Sequence, residues 1–198
     1  MDRIPTTGPA IVACNHLSYL DPLANARFVM KAGRRPRFLA KGDLFDIPLV
    51  GSAFRGAKQI RVDRGSRDFA PLRQAQRALT EDEVVVIYPE GTVTTREDHL
   101  PMPAKTGTVR LSLASGIPII PLASWGSQAV WQKSGRGSLK YGRPVWLKAG
   151  EPIDLSSRRG EADDHDALRA MTAALMGALT TLTEDLRDRY PVRWVSPG

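Results

Sequence analysis

The sequence predicts an α/β domain built on a mostly parallel central sheet with helices covering both faces, and three observations carry that reading. Short, almost wholly apolar runs, Ile11 to Cys14, Val84 to Tyr88 and Ile117 to Ala123, have the length and composition of strands buried on both faces. Segments with helical periodicity or helix punctuation alternate with them. No Gly-, Ser- or Pro-rich linker and no internal repeat divides the 198 residues, so residues 1–198 are expected to form one domain.

The elements follow in order. Ile11 to Cys14 is the first strand, Pro22 to Lys31 a helix stopped by Gly33, and Arg37 to Lys41 the second strand. Asp43 to Phe54 is apolar but carries Pro48 and Gly51, which predicts a short irregular helix. Gln59 to Val62 is the next strand, and Arg67 to Leu79 a helix with Phe69, Leu72 and Leu79 on one side. Val84 to Tyr88 is a strand that Pro89-Glu90-Gly91 ends abruptly. Thr106 to Ser115 is a helix closed by Gly116, Ile117 to Ala123 a strand with prolines near its ends, and Pro144 to Lys148 a further strand. From Ala167 to Arg189, Leu168, Met171, Leu175, Leu179, Leu182 and Leu186 recur at spacings of three and four, an apolar stripe that packs a helix against the sheet. Asp163, Asp164, His165 and Asp166 just before it suggest metal ligands at first sight. They are better explained as acids favoured at a helix N-terminus.

Composition narrows the setting. The net charge is +7, and residues 27–77 hold thirteen Lys or Arg against four Asp or Glu, a local excess of nine positive charges. Such a segment favours phosphates on nucleotides, lipid headgroups or nucleic acid, unless it is simply a solvated surface. It lacks a helix-turn-helix, a finger or an aromatic platform, so nucleic acid is not an expected partner. The longest apolar run, Ile117 to Trp125, is broken by Pro118 and Pro121 and falls far short of the ~20 residues of a membrane span. Met1 is followed by Asp2, Arg3 and Pro5 without the apolar core of a secretory signal, which makes the cytoplasm the expected compartment. The lone Cys14 cannot form an intrachain disulfide.

Four polar groups stand where this pattern places chemistry, at strand ends and helix starts. In Asn15-His16-Leu17-Ser18-Tyr19-Leu20-Asp21 an imidazole, whose unperturbed pKa of ~6.5 suits a base near neutrality, is followed by a carboxylate able to fix its tautomer. Asp21 is equally readable as an N-cap before Pro22, or as the acid of a capping box begun by Ser18; a carboxylate has two oxygens and can do both. Glu90, Gly91 and Thr92 put a carboxylate, a flexible glycine and a hydroxyl at the end of an apolar strand. Alternation sets Arg61 and Asp63 on one face of a strand with Arg64 at its exit, and arginine's planar fork suits phosphate. Lys105-Thr106-Gly107 opens a helix whose free amides favour an anion. A covalent alternative would use Cys14 or Ser18 beside His16, although Cys14 reads as a small apolar core residue.

In this order the groups resemble the glycerolipid acyltransferase family, specifically the 1-acylglycerol-3-phosphate acyltransferases, over about Gly8 to Asp154. The family's N-H-x-x-x-x-D is matched by Asn15, His16 and Asp21, and implies His16 as general base and Asp21 as orienting acid. Its strand ending in arginine is matched by Ile60 to Arg64, with the arginine holding the acceptor's phosphate. Its F-P-E-G-T is matched by Tyr88 to Thr92, which implies Glu90, Gly91 and Thr92 in the acceptor site. Its apolar run with a proline is matched by Ile117 to Pro121, which implies Ile117 and Pro118 on the acyl-chain side. Val93 stands where the family usually has Arg or Ser, so a contact to the acceptor is either missing or supplied by Arg96; Tyr88 in place of Phe is a mild change.

The resemblance implies transfer of a fatty acyl group from an acyl thioester, carried by coenzyme A or by acyl carrier protein, to the sn-2 hydroxyl of 1-acylglycerol-3-phosphate, giving phosphatidic acid. Another lysophospholipid is the alternative acceptor. No metal or bound cofactor is implied. The expected partners are the two substrates and an anionic membrane surface, with the protein peripheral on the inner face of the membrane. Many members carry apolar helices ahead of the first strand, so either this protein binds membranes without them or its start has been trimmed.

Overall fold

The computed structural model of the chain describes residues 3–63, 69–132, 134–135 and 142–191. Its strands are β1 (Ala10–Cys14), β2 (Pro36–Lys41), β3 (Ile60–Val62), β4 (Val84–Ile87), β5 (Ile119–Trp125) and β6 (Trp146–Ala149), and they form one sheet in the order β3-β2-β4-β1-β5-β6. The first five run parallel, and β6 returns antiparallel beside β5. β1 lies in the middle, with Ile11 opposite both Val85 and Ile119, and every residue of β1, β4 and β5 is buried. That double burial is why these strands read as unbroken apolar runs rather than alternating ones.

The described residues also form six α-helices, α1 (Asp21–Lys31), α2 (Asp43–Asp46), α3 (Val50–Gly56), α4 (Ala70–Thr80), α5 (Gly107–Ser115) and α6 (His165–Arg189). Phe28 and Val29 of α1 pack on Val12, Cys14, Val86 and Leu122 from one side. On the other side α4, α5 and α6 bury Ala75, Leu79, Val109, Leu113, Leu168 and Leu175 against Ile11, Ala13, Val85 and Ile87. The chain thus leaves β1 towards one face and β4 towards the other. Because β1 and β4 are neighbours, a crevice opens between their carboxyl ends, the position at which open α/β sheets bind ligands.

Two expectations change in detail. The predicted irregular helix after Lys41 is two short helices, α2 and α3, with Leu49 turning between them at φ 66°. Gly51 permits the join, because a methyl there would strike the Phe45 carbonyl. Phe69 is not on the buried side of α4: it stands just before the helix, exposed, and the face is made by Ala75, Ala78 and Leu79. Along α6 Leu168, Met171, Leu175, Leu179 and Leu186 are buried as expected and Leu182 is partly so, and Asp164 caps the helix by accepting the amides of Asp166 and Ala167. Among the described residues, no helix is long and apolar enough to cross a membrane.

Part of the basic segment is spent on the fold. Arg34 donates to the carbonyls of Pro5, Gly8 and Asp82, Arg55 to that of Phe45, and Arg37 to that of Lys58 while pairing with Glu83. These cations tie loops together rather than waiting for a phosphate.

Candidate active site

β1 ends at Cys14, and a side chain then takes over the ladder. Asn15, fully buried, accepts the Ser124 amide of β5 on Oδ1 at 2.8 Å and donates from Nδ2 to the Ser124 carbonyl at 3.1 Å, so it pairs with β5 as a strand peptide would. Its Nδ2 also reaches the Thr183 hydroxyl of α6 at 3.3 Å. The main chain turns away here, and His16 comes to lie over the crevice.

Asp21 is fully buried at the first turn of α1 and is surrounded by donors. Its Oδ2 accepts the Leu17 amide at 2.5 Å and the Ser18 amide at 2.7 Å and faces His16 Nδ1 at 3.0 Å. Its Oδ1 accepts the Ser127 hydroxyl at 2.5 Å, with the Ser124 hydroxyl 3.5 Å away. The carboxylate thus orients the ring and ties down the backbone ahead of the helix, but it neither caps α1 nor completes a capping box: Leu20 is the N-cap, the Ser18 hydroxyl accepts the Leu20 amide, and the Asp21 amide bonds the Ser18 carbonyl. An ionised carboxylate only accepts, so Nδ1 carries the proton and Nε2 is left with its lone pair, the tautomer a general base requires.

The imidazole rests on the Tyr88 ring, with centroids 4.1 Å apart and planes 23° from parallel. Tyr88 in turn stands 6.3 Å from Phe38 in the middle of β2, so a row of rings runs from the carboxyl ends of β1 and β4 onto β2. The Tyr88 hydroxyl accepts from buried Asn25 at 2.9 Å, a bond that a phenylalanine could not make. The loop after β4 grips His16 by its backbone: Glu90 Oε1 accepts the His16 amide at 3.0 Å, and the Thr94 amide donates to the His16 carbonyl at 2.7 Å. Glu90 Oε2 accepts the Met102 amide at 2.9 Å. Burial pushes the Glu90 carboxyl up to about 7, the two amide bonds opposing the rise and the nearby Asp21 charge adding to it.

Not every residue expected at a site gathers here. His16, Asp21, Glu90 and Gly91 do; Thr92 is half-buried beside them, and Lys105 follows closely, its ammonium about 4.0 Å from where a methyl on Gly91 would stand. Lys105 is exposed, its backbone amide bonded to the Pro89 carbonyl, and among the described residues no carboxylate pairs with it. Arg61 is occupied: its guanidinium bonds Asp46 through two nitrogens, also meets Asp63, and is held above its ordinary range mainly by the Asp46 bond. Arg96 makes a two-point pair with Asp98, and Val93 is buried, so neither position offers an unpaired arginine fork. Ile117 and Pro118 precede β5, whose first residue pairs with Ile11, and so they lie at the end of the sheet opposite His16. Arg64 lies outside the described residues.

The two candidate nucleophiles are placed unfavourably. Cys14 is fully buried, and its thiol is pushed well above its usual range by burial and then by the Asp21 charge. Ser18 is fully buried, with its hydroxyl donating to the Trp131 carbonyl and accepting the Leu20 amide. Six partners of the site escaped the sequence reading: Asn25, Thr94, Met102, Ser124, Ser127 and Thr183. Ser124 and Ser127 carried a signal, since hydroxyls at the end of an apolar strand stand where ligands and catalytic groups are held. Thr183, inside a helix stripe, carried none.

The chain belongs to the acyltransferase family: a model of that family matches residues 1–125, a span that takes in every strand from β1 to β5. It is 26% identical over 188 residues to the 1-acyl-sn-glycerol-3-phosphate acyltransferase of Bacillus subtilis (strain 168), across 93% of this chain and 86% of that protein. Against the protein of the same name from Limnanthes douglasii it is 35% identical over 128 residues, 63% of this chain and 43% of that one. The crystal structure of the 1-acyl-sn-glycerophosphate acyltransferase PlsC from Thermotoga maritima is similar with a TM-score of 0.68 and 25% identity, over 96% of this chain and 71% of that chain. The chain thus spans most of the bacterial relatives and less than half of the plant one.

Proposed function

We propose that the protein transfers a fatty acyl group from an acyl thioester to the sn-2 hydroxyl of 1-acylglycerol-3-phosphate, with His16 as general base. The observation that carries this is the contact between His16 Nδ1 and the buried Asp21, which leaves Nε2 as acceptor at the mouth of the β1–β4 crevice; the names of the relatives supply the acceptor. His16 Nε2 takes the hydroxyl proton as the oxygen attacks the thioester carbonyl. The tetrahedral adduct then collapses, the C–S bond breaks, and the departing thiolate recovers the proton from Nε2. Asp21 holds the imidazole and offsets its transient positive charge. Holding both substrates in attack geometry supplies much of the acceleration, and the step consumes no cofactor.

Lys105, exposed beside Gly91, is the described cation best placed for the acceptor's phosphate. The donor is carried by coenzyme A or by acyl carrier protein. An anionic bilayer is the proposed surface of action. A groove of about 870 Å³ between α1, β6 and the end of α6 has Arg27 and Lys31 beside Phe28 and Leu147, with Lys148 and Arg189 paired to Asp185 in its wall. Beside it α1 exposes Leu23 and Met30. Apolar side chains flanked by cations suit a headgroup layer. Mass spectrometry of the products formed from a panel of lysolipid acceptors and acyl thioesters tests the reading: phosphatidic acid from 1-acylglycerol-3-phosphate is expected, and its absence with every donor overturns it.

A further inference from the structure

Glu90 reads in the sequence as part of an acceptor-binding group, yet its geometry is that of a tether. It is 7% exposed, and its two oxygens each accept a backbone amide, one from His16 and one from Met102. We propose that Glu90 is a positioning residue: it fixes the main chain from which the His16 imidazole projects, so that the loop after β4 completes the base instead of contacting the acceptor. The proposal rests on the reading of His16 as the general base.

Past Cys14 the main chain has left the β1 ladder, and the peptide groups of His16 need partners from elsewhere. Both come from one loop, the amide bonding Glu90 and the carbonyl bonding Thr94. Asp21 and Tyr88 set the orientation of the ring, but they aim it only if its Cα stays in place. The bond from Glu90 to Met102 links positions twelve residues apart, so the loop cannot shift at one end alone. Displacing a reacting group by ~1 Å can cost ~10²-fold in rate. Only an ionised glutamate accepts at both oxygens from this position. Glutamine turns an NH₂ towards one of the two amides, whichever way it is flipped, and aspartate is one methylene too short to span them. The titratable and charged groups around Glu90 are His16, Asp21 on α1, Tyr88 at the end of β4, and Lys105 ahead of α5 beside Gly91.

Steady-state kinetics of E90Q with 1-acylglycerol-3-phosphate and acyl-CoA separate the two roles. A positioning residue lowers kcat by about ten- to a hundredfold and leaves the acceptor's KM within about twofold, whereas an acceptor ligand raises that KM and spares kcat. The second result, or unchanged kinetics in a folded variant, overturns the proposal. A readout independent of turnover comes from amide resonances: in the wild type the Met102 amide should shift as pH is varied, the His16 amide should show the same midpoint beside that of its own imidazole, and this shared component should vanish in E90Q. If E90Q does not fold, the wild-type titration decides, and two amides without a common midpoint overturn the tether. A wild-type protein that shows the common midpoint but makes no phosphatidic acid would remove the proposed acceptor and keep the tether.

Discussion

Ser127 donates its hydroxyl to Asp21 Oδ1 at 2.5 Å across 106 positions of sequence, while the other oxygen of the same carboxylate faces His16. The turn after β5 therefore helps to hold the carboxylate that faces the His16 ring. A hydrogen bond to a charged group is worth ~1.5–3 kcal/mol, and removing it here leaves Oδ1 with the Ser124 hydroxyl at 3.5 Å. Ser127→Ala is expected to lower kcat by about tenfold with a folded circular-dichroism spectrum. Asp21→Asn is expected to lower it further, because the amide turns a donor towards donors. Equal activity of Ser127→Ala and wild type would show that the bond does not govern the site.

Loss of the base should be near-complete. His16→Ala is expected to reduce acyl transfer by ~10²–10⁴-fold. Cys14→Ala is expected to cost about 1 kcal/mol of stability and little turnover, since the thiol is buried in the core. Kinetics and thermal melts of the two variants check this. A Cys14→Ala enzyme as inactive as His16→Ala would replace general-base catalysis with a covalent route.

Glu90 gives the protein a signed pH dependence of stability. Its carboxyl is raised from the ordinary 4.5 to about 7, chiefly by burial, so between these values the folded state binds more protons than the unfolded state. Stability from this group is full below about 4.5 and falls as pH rises through about 7. His99, lowered from 6.5 by burial, works in the opposite sense, its contribution growing as pH rises towards 6.5. Comparing thermal midpoints of wild type and Glu90→Gln across this window isolates the first effect: wild type should gain stability relative to the variant as pH falls from about 7 towards 4.5. A constant difference would contradict a raised carboxyl.

Membrane binding should depend on α1. Each Lys or Arg near an anionic surface contributes about 1 kcal/mol, and physiological salt shortens the reach to ~8 Å. Arg27 and Lys31 meet no carboxylate among the described residues, so Arg27→Glu with Lys31→Glu is expected to weaken sedimentation with anionic vesicles by at least ~10-fold at low salt. Activity on micellar acceptor should persist. Vesicle binding indifferent to lipid charge, to salt and to these changes would exclude this surface.

Phosphate recognition separates two cations that look alike in sequence. Lys105→Ala is expected to lower kcat/KM for 1-acylglycerol-3-phosphate by ~10-fold or more while sparing the poorer monoacylglycerol, which has no phosphate to lose. Arg61→Ala, which removes a guanidinium already paired with Asp46 and Asp63, should lower both alike or neither. Parallel losses for the two acceptors in Lys105→Ala would leave it without a phosphate role.

The strands, the helices and the His16–Asp21 contact were legible in the sequence because each depends on neighbours a few positions away. Val84–Ile87 is four apolar residues in a row, so it had to be a strand buried on both faces. The spacing of α6 required one packed stripe, and Asp21, five positions after His16, is close enough for a single turn to bring them together. What the tertiary structure decided is where hydrogen-bonding capacity was spent. Glu90 looked available to a ligand, but folding set it against the His16 amide 74 positions away; Arg61 looked available to phosphate, but its nearest acids took it. Asn15 acquired Ser124 and Thr183 as partners at separations of 109 and 168. Backbone preference and periodicity act locally and survive in a linear reading. The partner of a buried polar group is set by which strand ends the sheet order brings together, and the neighbours of β1 in space, β4 and β5, are not its neighbours in sequence.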